Sequence, residues 1–168
     1  MAQASEASLS SIGDGIYLGD AKAAFDYELL QSLGVTDIVN VTADVPNFYT
    51  SLFTYMRVPV EDTSSSNLKR YFVAVHAFIA QARQRGGAVL VHCRAGVSRS
   101  PTVVIAHLML QNGWTSSRAI ETVQKQRSII NPNPGFIQQL TELDQKLAPC
   151  ARCGLTHKLR WLTPKPRR

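Results

Sequence analysis

The sequence has 168 residues, of which 45% are hydrophobic and 18% charged, and it contains three cysteines. This composition predicts one globular domain and excludes an intrinsically disordered chain, a repeat array and a disulfide-stapled scaffold. No apolar run is long enough to span a membrane and no signal-peptide pattern opens the chain, so we expect no membrane partner. Because so few cysteines suit a reducing compartment, we expect a cytoplasmic protein, with the nucleus as a second location.

The positive charge of the chain is concentrated in one segment. The formal net charge is +6, and residues 150–168 carry six basic residues and no acidic one. The other 12 basic residues are therefore balanced by all 12 acidic residues. A neutral domain with a basic tail does not predict a nucleic-acid-binding surface, so we expect no nucleic-acid partner.

The first elements in chain order are a lead-in and a series of strands. Residues 1–11 are small and polar and are predicted to be disordered. From Gly15 onward, β-branched runs alternate with helical periodicity, which predicts an α/β domain. Strands are predicted at Ile16–Leu18, Asp37–Val41, Tyr55–Val60 and Ala88–His92. The last of these is continuously apolar, which is typical of a central strand buried on both faces.

Helical segments separate and follow these strands. Helices are predicted at Asp26–Leu33, from a cap at Asn67 to Gly86, at Arg99–Gln111, at Thr115–Arg127 and from a cap at Asn133 to Leu147. The fold class is therefore α/β: a single domain, residues 12–149, with a central, mostly parallel twisted sheet of four to five strands flanked by helices on both faces. Residues 150–168 are predicted to form a basic flexible tail.

One segment, HCRAGVSRS at residues 92–100, lies between the buried strand and an apolar helix. Such a strand–loop–helix turn directs backbone N–H groups and the positive helix end into one concavity, which binds a tetrahedral oxyanion. Gly96 allows the conformation that the loop needs, and Arg99 can present its planar fork to two phosphate oxygens. Cys93 would lie beneath the anion, where the same donors favour a thiolate and where Ser100 can donate to the sulfur. These residues predict nucleophilic displacement at phosphorus.

The leaving group of such a reaction needs a proton. The segment Val58–Ser66 leaves the end of a strand and enters a polar loop, and parallel strands end at the same edge of a sheet. Asp62 is our candidate general acid, which becomes the general base when water attacks. Glu61 is the competitor, because strand alternation allows only one of the two to face the pocket and the sequence leaves the choice open. His92 adjoins the nucleophile but points the opposite way, so we expect it to order the loop by hydrogen bonds.

The motif Cys-x5-Arg-Ser preceded by His resembles the signature of the protein tyrosine phosphatase superfamily, and HCRAGVSRS resembles its dual-specificity branch. The resemblance covers roughly residues 12–147 and includes the IYLG opening, the VNV strand, the NL-x-x-YF continuation of the acid loop and the NPNPGF turn. The compact length of the chain resembles that of the atypical members of this branch. It implies four catalytic residues: the nucleophile Cys93, the phosphate clamp Arg99, the acid Asp62, and Ser100, whose hydroxyl assists departure of the thiolate. The residues implied to bind the phosphate are Arg94, Ala95, Gly96, Val97, Ser98 and Arg99. No cofactor and no metal are implied.

The expected function is hydrolysis of phosphotyrosine and of phosphoserine or phosphothreonine in protein substrates, through a cysteinyl-phosphate intermediate. The expected partner is a phosphorylated protein, with a stress-pathway kinase as one lead, and we expect a monomer. Two alternatives stay open. Related folds dephosphorylate phosphoinositides, RNA 5′ ends or phosphorylated glycans, and a scaffold could bind phosphoproteins or kinases without turning them over. Arg94 is the one added base inside the loop, which favours protein over lipid substrates.

Overall fold

A computed structural model describes residues 8–148 of the chain. Within this range the strands are β1 (Leu9–Gly13), β2 (Ile16–Gly19), β3 (Val35–Asn40), β4 (Thr54–Arg57) and β5 (Ala88–His92). The α-helices in the same range are α1 (Ala21–Phe25), α2 (Tyr27–Ser32), α3 (Phe72–Gln84), α4 (Arg99–Asn112), α5 (Ser116–Gln126) and α6 (Pro134–Leu147). A 3₁₀ turn at Lys69–Tyr71 leads into α3.

The strands form one five-stranded sheet in the order β1-β2-β5-β3-β4. Strand β1 is antiparallel to β2, and the other three pairings are parallel. All five residues of the central strand β5 are buried, as its continuous apolar sequence predicts. Since β5 and β4 run in the same direction, the loop after β5 and the Asp62 segment after β4 begin at the same edge of the sheet.

Helices cover both faces of the sheet, which confirms the predicted architecture. Val89 and Val91 of β5 belong to the larger core cluster, which contains the buried side chains of α3 to α6. Ala88 and Leu90 belong to a second cluster with Leu30 of α2 and the aromatic residues before β4. Because neighbouring side chains of a strand point to opposite faces, the two clusters lie on opposite sides of β5.

The beginning of the chain differs from the prediction. Residues Leu9–Gly13 form β1 and pair with β2, so the prediction of disorder is wrong for residues 9–11. The turn between the two strands is Gly13-Asp14-Gly15, whose φ angles are 105°, 47° and 64°. This turn was the missed signal, because a Gly-Asp-Gly segment between apolar residues favours a hairpin.

The start of α3 also differs. Asn67 does not cap a helix, since the 3₁₀ turn begins at Lys69 and α3 begins at Phe72. The backbone N–H groups of Leu68 and Lys69 instead donate to Oε1 of Gln139 at 2.9 and 2.7 Å. The acceptor therefore comes from α6, far along the chain, where no local pattern could indicate it.

One strand boundary and one additional helix also differ from the prediction, and the predicted end of the domain lies outside the described range. Strand β4 ends at Arg57 rather than at Val60, and α1 is an additional helix capped by Asp20, whose side chain accepts from Ala23 N at 2.9 Å. The predicted domain end at residue 149 and the tail 150–168 lie outside the described residues. Over residues 8–148, no helix is both long and apolar enough to cross a membrane. The same residues contain no group of three metal-ligating side chains that could hold an ion.

Candidate active site

The sulfur of Cys93 lies at the floor of the loop between β5 and α4. Cys93 is 1% exposed, and its Sγ accepts hydrogen bonds from Gly96 N at 3.3 Å and from Ser100 Oγ at 3.1 Å. Ser100 belongs to the first turn of α4, whose positive end faces the loop. These donors stabilise a thiolate, which is the nucleophilic form of cysteine.

The outer side of the loop is held by its carbonyl groups. Three of them accept hydrogen bonds from neighbouring segments: Arg94 O from Ala21 N at 3.1 Å, Gly96 O from Arg127 Nε at 3.1 Å and Val97 O from Asn131 N at 2.7 Å. In a trans peptide the N–H points away from the preceding carbonyl, so the N–H groups that follow these carbonyls point into the concavity. The result is a ring of donors above the sulfur, which suits a tetrahedral oxyanion.

Arg99 is the first residue of α4 and is 8% exposed. Its Nη1 donates to Val60 O at 3.2 Å. Its Nε is buried and has no hydrogen-bond partner among residues 8–148, although Asp62 Oδ2 lies 3.6 Å away. A buried guanidinium with an unused donor costs free energy unless an anion satisfies it, so the arrangement is prepared for a phosphate.

The carboxylate of Asp62 lies on the same side of the site. Its Oδ1 accepts hydrogen bonds from Ser98 Oγ at 2.7 Å and from Asn133 Nδ2 at 2.9 Å. Glu61 is exposed, and none of the hydrogen bonds of the described residues joins it to the loop. The structure thus brings Asp62, and not Glu61, to the side chains that surround Cys93.

A shallow groove runs along the surface beside this carboxylate. The residues that line it are neutral apart from the acid itself: Asp62, Ser98, Asn131, Pro132, Asn133, Pro134 and Ile137. The groove combines apolar surface from prolines and Ile137 with two side-chain amides. It offers polar and apolar contacts beside the carboxylate of Asp62.

Residues 16–146 match the family model of the dual specificity phosphatase catalytic domain. The chain belongs to this family. Two related proteins and one solved structure illustrate the similarity. It is 45% identical over 131 residues to the Protein phosphatase Slingshot homolog of Xenopus laevis, a match covering 78% of the chain and 19% of that protein. It is 40% identical over 138 residues to Dual specificity protein phosphatase 1 of Arabidopsis thaliana, covering 82% and 70%.

A solved structure of similar fold is that of the human tyrosine phosphatase-like serine/threonine/tyrosine-interacting protein. The TM-score is 0.79 at 34% identity, and the match covers 82% of this chain and 95% of that one. The resemblance to an atypical dual-specificity phosphatase is thereby confirmed. The chain spans about a fifth of the length of the Slingshot relative.

In this dual-specificity phosphatase domain, His92 is completely buried. Its Nδ1 lies 3.3 Å from Cys93 O, so Nδ1 donates and holds the loop backbone. Burial lowers the pKa of His92 to about 4, because the charged imidazolium loses its hydration. A neutral, buried imidazole fits the ordering role predicted for it.

Arg94 points away from the phosphate site. Two thirds of its side chain is exposed, and it forms an ion pair with Asp44 in the segment between β3 and β4. Of the two arginines predicted to bind phosphate, Arg94 is therefore paired with Asp44, whereas the guanidinium of Arg99 lies beside Asp62.

Sequence reasoning missed two features of this site. The sequence predicts Arg127 only as the end of a helix, yet it is 6% exposed and its Nε donates to Gly96 O. The sequence predicts Asn133 only as a helix cap. It is one, since Oδ1 accepts from Phe136 N at 3.1 Å, but its Nδ2 also reaches Asp62. Only the fold reveals these long-range contacts.

Proposed function

We propose that this domain hydrolyses phosphotyrosine and phosphoserine or phosphothreonine in protein substrates through a phosphorylated Cys93. One observation carries the proposal. The sulfur of Cys93, the unused buried Nε of Arg99 and the carboxylate of Asp62 converge on one oxyanion-binding loop. A nucleophile, an anion clamp and an acid are the groups that displacement at phosphorus requires.

In the first step the thiolate of Cys93 attacks phosphorus and a P–S bond forms. The P–O bond to the substrate breaks, and its electron pair leaves on the substrate oxygen, which takes a proton from Asp62. The loop N–H groups and the guanidinium of Arg99 hold the three equatorial oxygens while their charge is redistributed.

In the second step a water attacks the phosphocysteine. Asp62, now a carboxylate, takes a proton from that water, a P–O bond forms and the P–S bond breaks. The electron pair returns to the sulfur, where the Ser100 hydroxyl and the Gly96 N–H stabilise it. The products are inorganic phosphate and the original thiolate. Because this cycle needs a reduced sulfur, we propose that the protein acts in the reducing cytoplasm.

The preference for protein substrates is supported by the surroundings of the site. The groove beside Asp62 carries no basic side chain among its lining residues. Arg94, the one extra base within the loop, is engaged by Asp44. A phosphoinositide headgroup with several phosphates needs more positive charge than this, whereas an extended peptide suits a groove of amides and apolar carbons.

The experiment compares substrate classes in the presence of a chelator. Phosphotyrosyl and phosphothreonyl peptides are measured against soluble phosphoinositides, with Cys93→Ser as the control for a contaminating phosphatase. We expect kcat/KM for at least the phosphotyrosyl peptide to exceed that for every phosphoinositide by more than about tenfold, which corresponds to about 1.4 kcal/mol of transition-state binding. Faster hydrolysis of a phosphoinositide than of the peptides would identify a lipid, rather than a protein, as the substrate. Peptide binding without hydrolysis by the reduced protein would favour the scaffold.

A further inference from the structure

We propose that Asp44 is a specificity-determining residue: by pairing with Arg94 it makes the site indifferent to acidic residues beside the phosphorylated residue of a substrate. The proposal rests on the proposed function and describes its substrate more closely. Arg94 follows Cys93 directly, its side chain is 66% exposed, and it forms an ion pair with Asp44, whose side chain is 47% exposed. An exposed guanidinium beside a phosphate-binding loop suits a second acidic group of a substrate. Here a carboxylate of the protein itself holds that guanidinium.

Arg94 and Asp62 lie on opposite sides of the phosphate loop. The carbonyl of Arg94 accepts from the N–H of Ala21 in α1, and Ala24 of this helix belongs to the smaller core cluster. Asp62 accepts from Asn133, the N-cap of α6, whose buried side chains belong to the larger cluster. Because these clusters cover opposite faces of β5, a peptide that crosses the loop from one face to the other passes both side chains. Residues two positions apart in an extended peptide are separated by about 7 Å, so residues flanking the phosphorylated one come near Arg94.

The turn that carries Asp44 is fixed by buried hydrogen bonds. Asn40 ends β3, and both Asn40 and Thr42 are completely buried. Thr42 Oγ1 donates to Asn40 Oδ1 at 2.7 Å and accepts from Val45 N at 3.1 Å, while Asn40 Nδ2 donates to Val45 O at 2.9 Å. Most surface ion pairs are weak because two long side chains lose their freedom. Here one partner is short and stands on a fixed turn, so pairing with Arg94 costs less conformational entropy.

A second guanidinium lies next to this pair. Arg57, the last residue of β4, is exposed, and its Nη2 donates to the carbonyl of Ala43 at 2.7 Å. Without the carboxylate of Asp44, the positive charges of Arg94 and Arg57 would both lie beside residues 43–44 with no acid between them. Such a cluster of arginines would favour acidic substrates. Asp44 cancels this preference, which is how a masking charge sets specificity.

The experiment measures kcat/KM for pairs of phosphotyrosyl peptides that differ only in carrying Glu or Gln at one position. That position is moved in turn through the two residues on each side of the phosphotyrosine. Because Glu and Gln have nearly the same shape, the ratio of the two kcat/KM values reports the charge. For the wild-type protein we expect every ratio to lie within about twofold of one. For Asp44→Asn we expect the ratio to rise at least about threefold at one or more positions, because Arg94 is then free to bind the glutamate.

The controls separate this pair from net charge and from folding. Glu121→Gln breaks an exposed ion pair with Lys125 on α5 and changes the net charge by the same amount, so it should leave the ratios unchanged. Asp44→Ser is a second neutral replacement and should give the same rise as Asp44→Asn. Adding Arg94→Gln to Asp44→Asn should return the ratio to the wild-type value. Raising the ionic strength from about 0.05 M to about 0.5 M should remove most of the rise. The affinity for orthovanadate reports whether the phosphate loop is intact.

The ratios decide the question. The proposal is overturned if both neutral replacements of Asp44 leave every ratio unchanged, or if the wild-type protein already prefers a glutamate peptide by more than about threefold. It is also overturned if the rise persists after Arg94→Gln, or if Glu121→Gln gives an equal rise, because the pair would then not be its cause. Failure of the wild-type protein to hydrolyse any of the peptides would instead remove the proposed function, and this inference with it.

Discussion

Gly96 shows how one residue sets the geometry of the phosphate loop. Its φ is +68°, a conformation that side chains rarely adopt, and a Cβ there would lie 2.8 Å from Gly19 O. The carbonyl of Gly96 is held by Arg127, whereas its N–H donates to the sulfur of Cys93. The two sides of this residue therefore connect Cys93 to the rest of the fold.

Replacement of Gly96 by Ala is predicted to reduce both stability and phosphate binding. Positive φ costs an L residue about 1–2 kcal/mol, and here the contact with Gly19 O adds to it. Gly113→Ala is the matched control, since Gly113 has a φ of +67° and open space around the position of its Cβ. Urea unfolding should show the cost of positive φ in both variants and a further loss of stability only in Gly96→Ala. Vanadate titration should show weakened binding only in Gly96→Ala. Identical behaviour of the two variants would contradict the role given to close packing.

At the scale of elements, α6 organises the loop that carries Asp62. Gln139 is 8% exposed, and its Oε1 accepts from the backbone N–H groups of Leu68 and Lys69. Its Nε2 donates to Ser66 O at 2.8 Å. A single amide on α6 therefore satisfies three backbone groups where the loop that carries Asp62 enters the 3₁₀ turn.

Gln139→Leu should destabilise the domain substantially. Leucine fills a similar volume but leaves these three backbone groups without their partner, one of them buried and two half-buried. A buried group left unsatisfied costs about 1–3 kcal/mol, and a half-buried one costs less. Allowing for entry of water, we expect a loss of roughly 3 kcal/mol in the free energy of unfolding. Gln138→Leu, at an exposed position on the same helix, should change it by less than about 0.5 kcal/mol. Equal denaturant midpoints for the two variants would show that the amide of Gln139 is not structural.

At the scale of the whole molecule, buried imidazoles make stability depend on pH. Burial lowers the pKa of His107 to about 4, with the neighbouring His76 as a smaller cause, and burial lowers the pKa of His92 to about 4. Nδ1 of His107 lies 3.1 Å from Nδ1 of His76, so these rings join α3 to α4. An unfolded histidine titrates near 6.5, so between about pH 6.5 and 4 the unfolded chain binds more protons than the folded one.

The free energy of unfolding is therefore predicted to fall as the pH falls through this range. Each of the two histidines should contribute a loss of about 2 kcal/mol between pH 7.5 and pH 5. His107→Gln keeps a polar partner for His76 and removes one titrating group, so its loss should be smaller by about that amount. Urea unfolding at the two pH values measures the difference. The same pH dependence in both proteins would show that His107 does not titrate as described.

Whether the sequence predicts a structural feature depends on how far apart in the chain its interacting residues lie. The strand, the loop and the helix around Cys93 follow one another directly in the chain, and the local sequence pattern predicted all three. The contact of Arg127 with Gly96 and the cap from Gln139 join distant segments, and no spacing in the sequence encodes them. Strand β1 was missed because its five residues, LSSIG, carry little apolar surface and depend on pairing with β2.

The choice between Asp62 and Glu61 was open for the same reason. The side chains of adjacent residues in a loop that follows a strand point in different directions, and these directions depend on what the loop packs against. Here the side chains of Ser98 and Asn133, which come from two other elements, bind Asp62. Spacing predicted that an acid would lie in this loop, and tertiary contacts decide which one faces the site.

The measurement that tests the central claim most directly is capture of phosphate on Cys93. Ser100→Ala removes the hydroxyl that lies 3.1 Å from the sulfur, so departure of the thiolate should slow and the intermediate should accumulate. The variant is mixed with a phosphotyrosyl peptide, quenched in acid within milliseconds, digested and analysed by mass spectrometry. We predict one phosphoryl group on the peptide that contains Cys93, and none in Cys93→Ser. Release of product without phosphorylated Cys93 at any time, or phosphate on another residue, would contradict the mechanism.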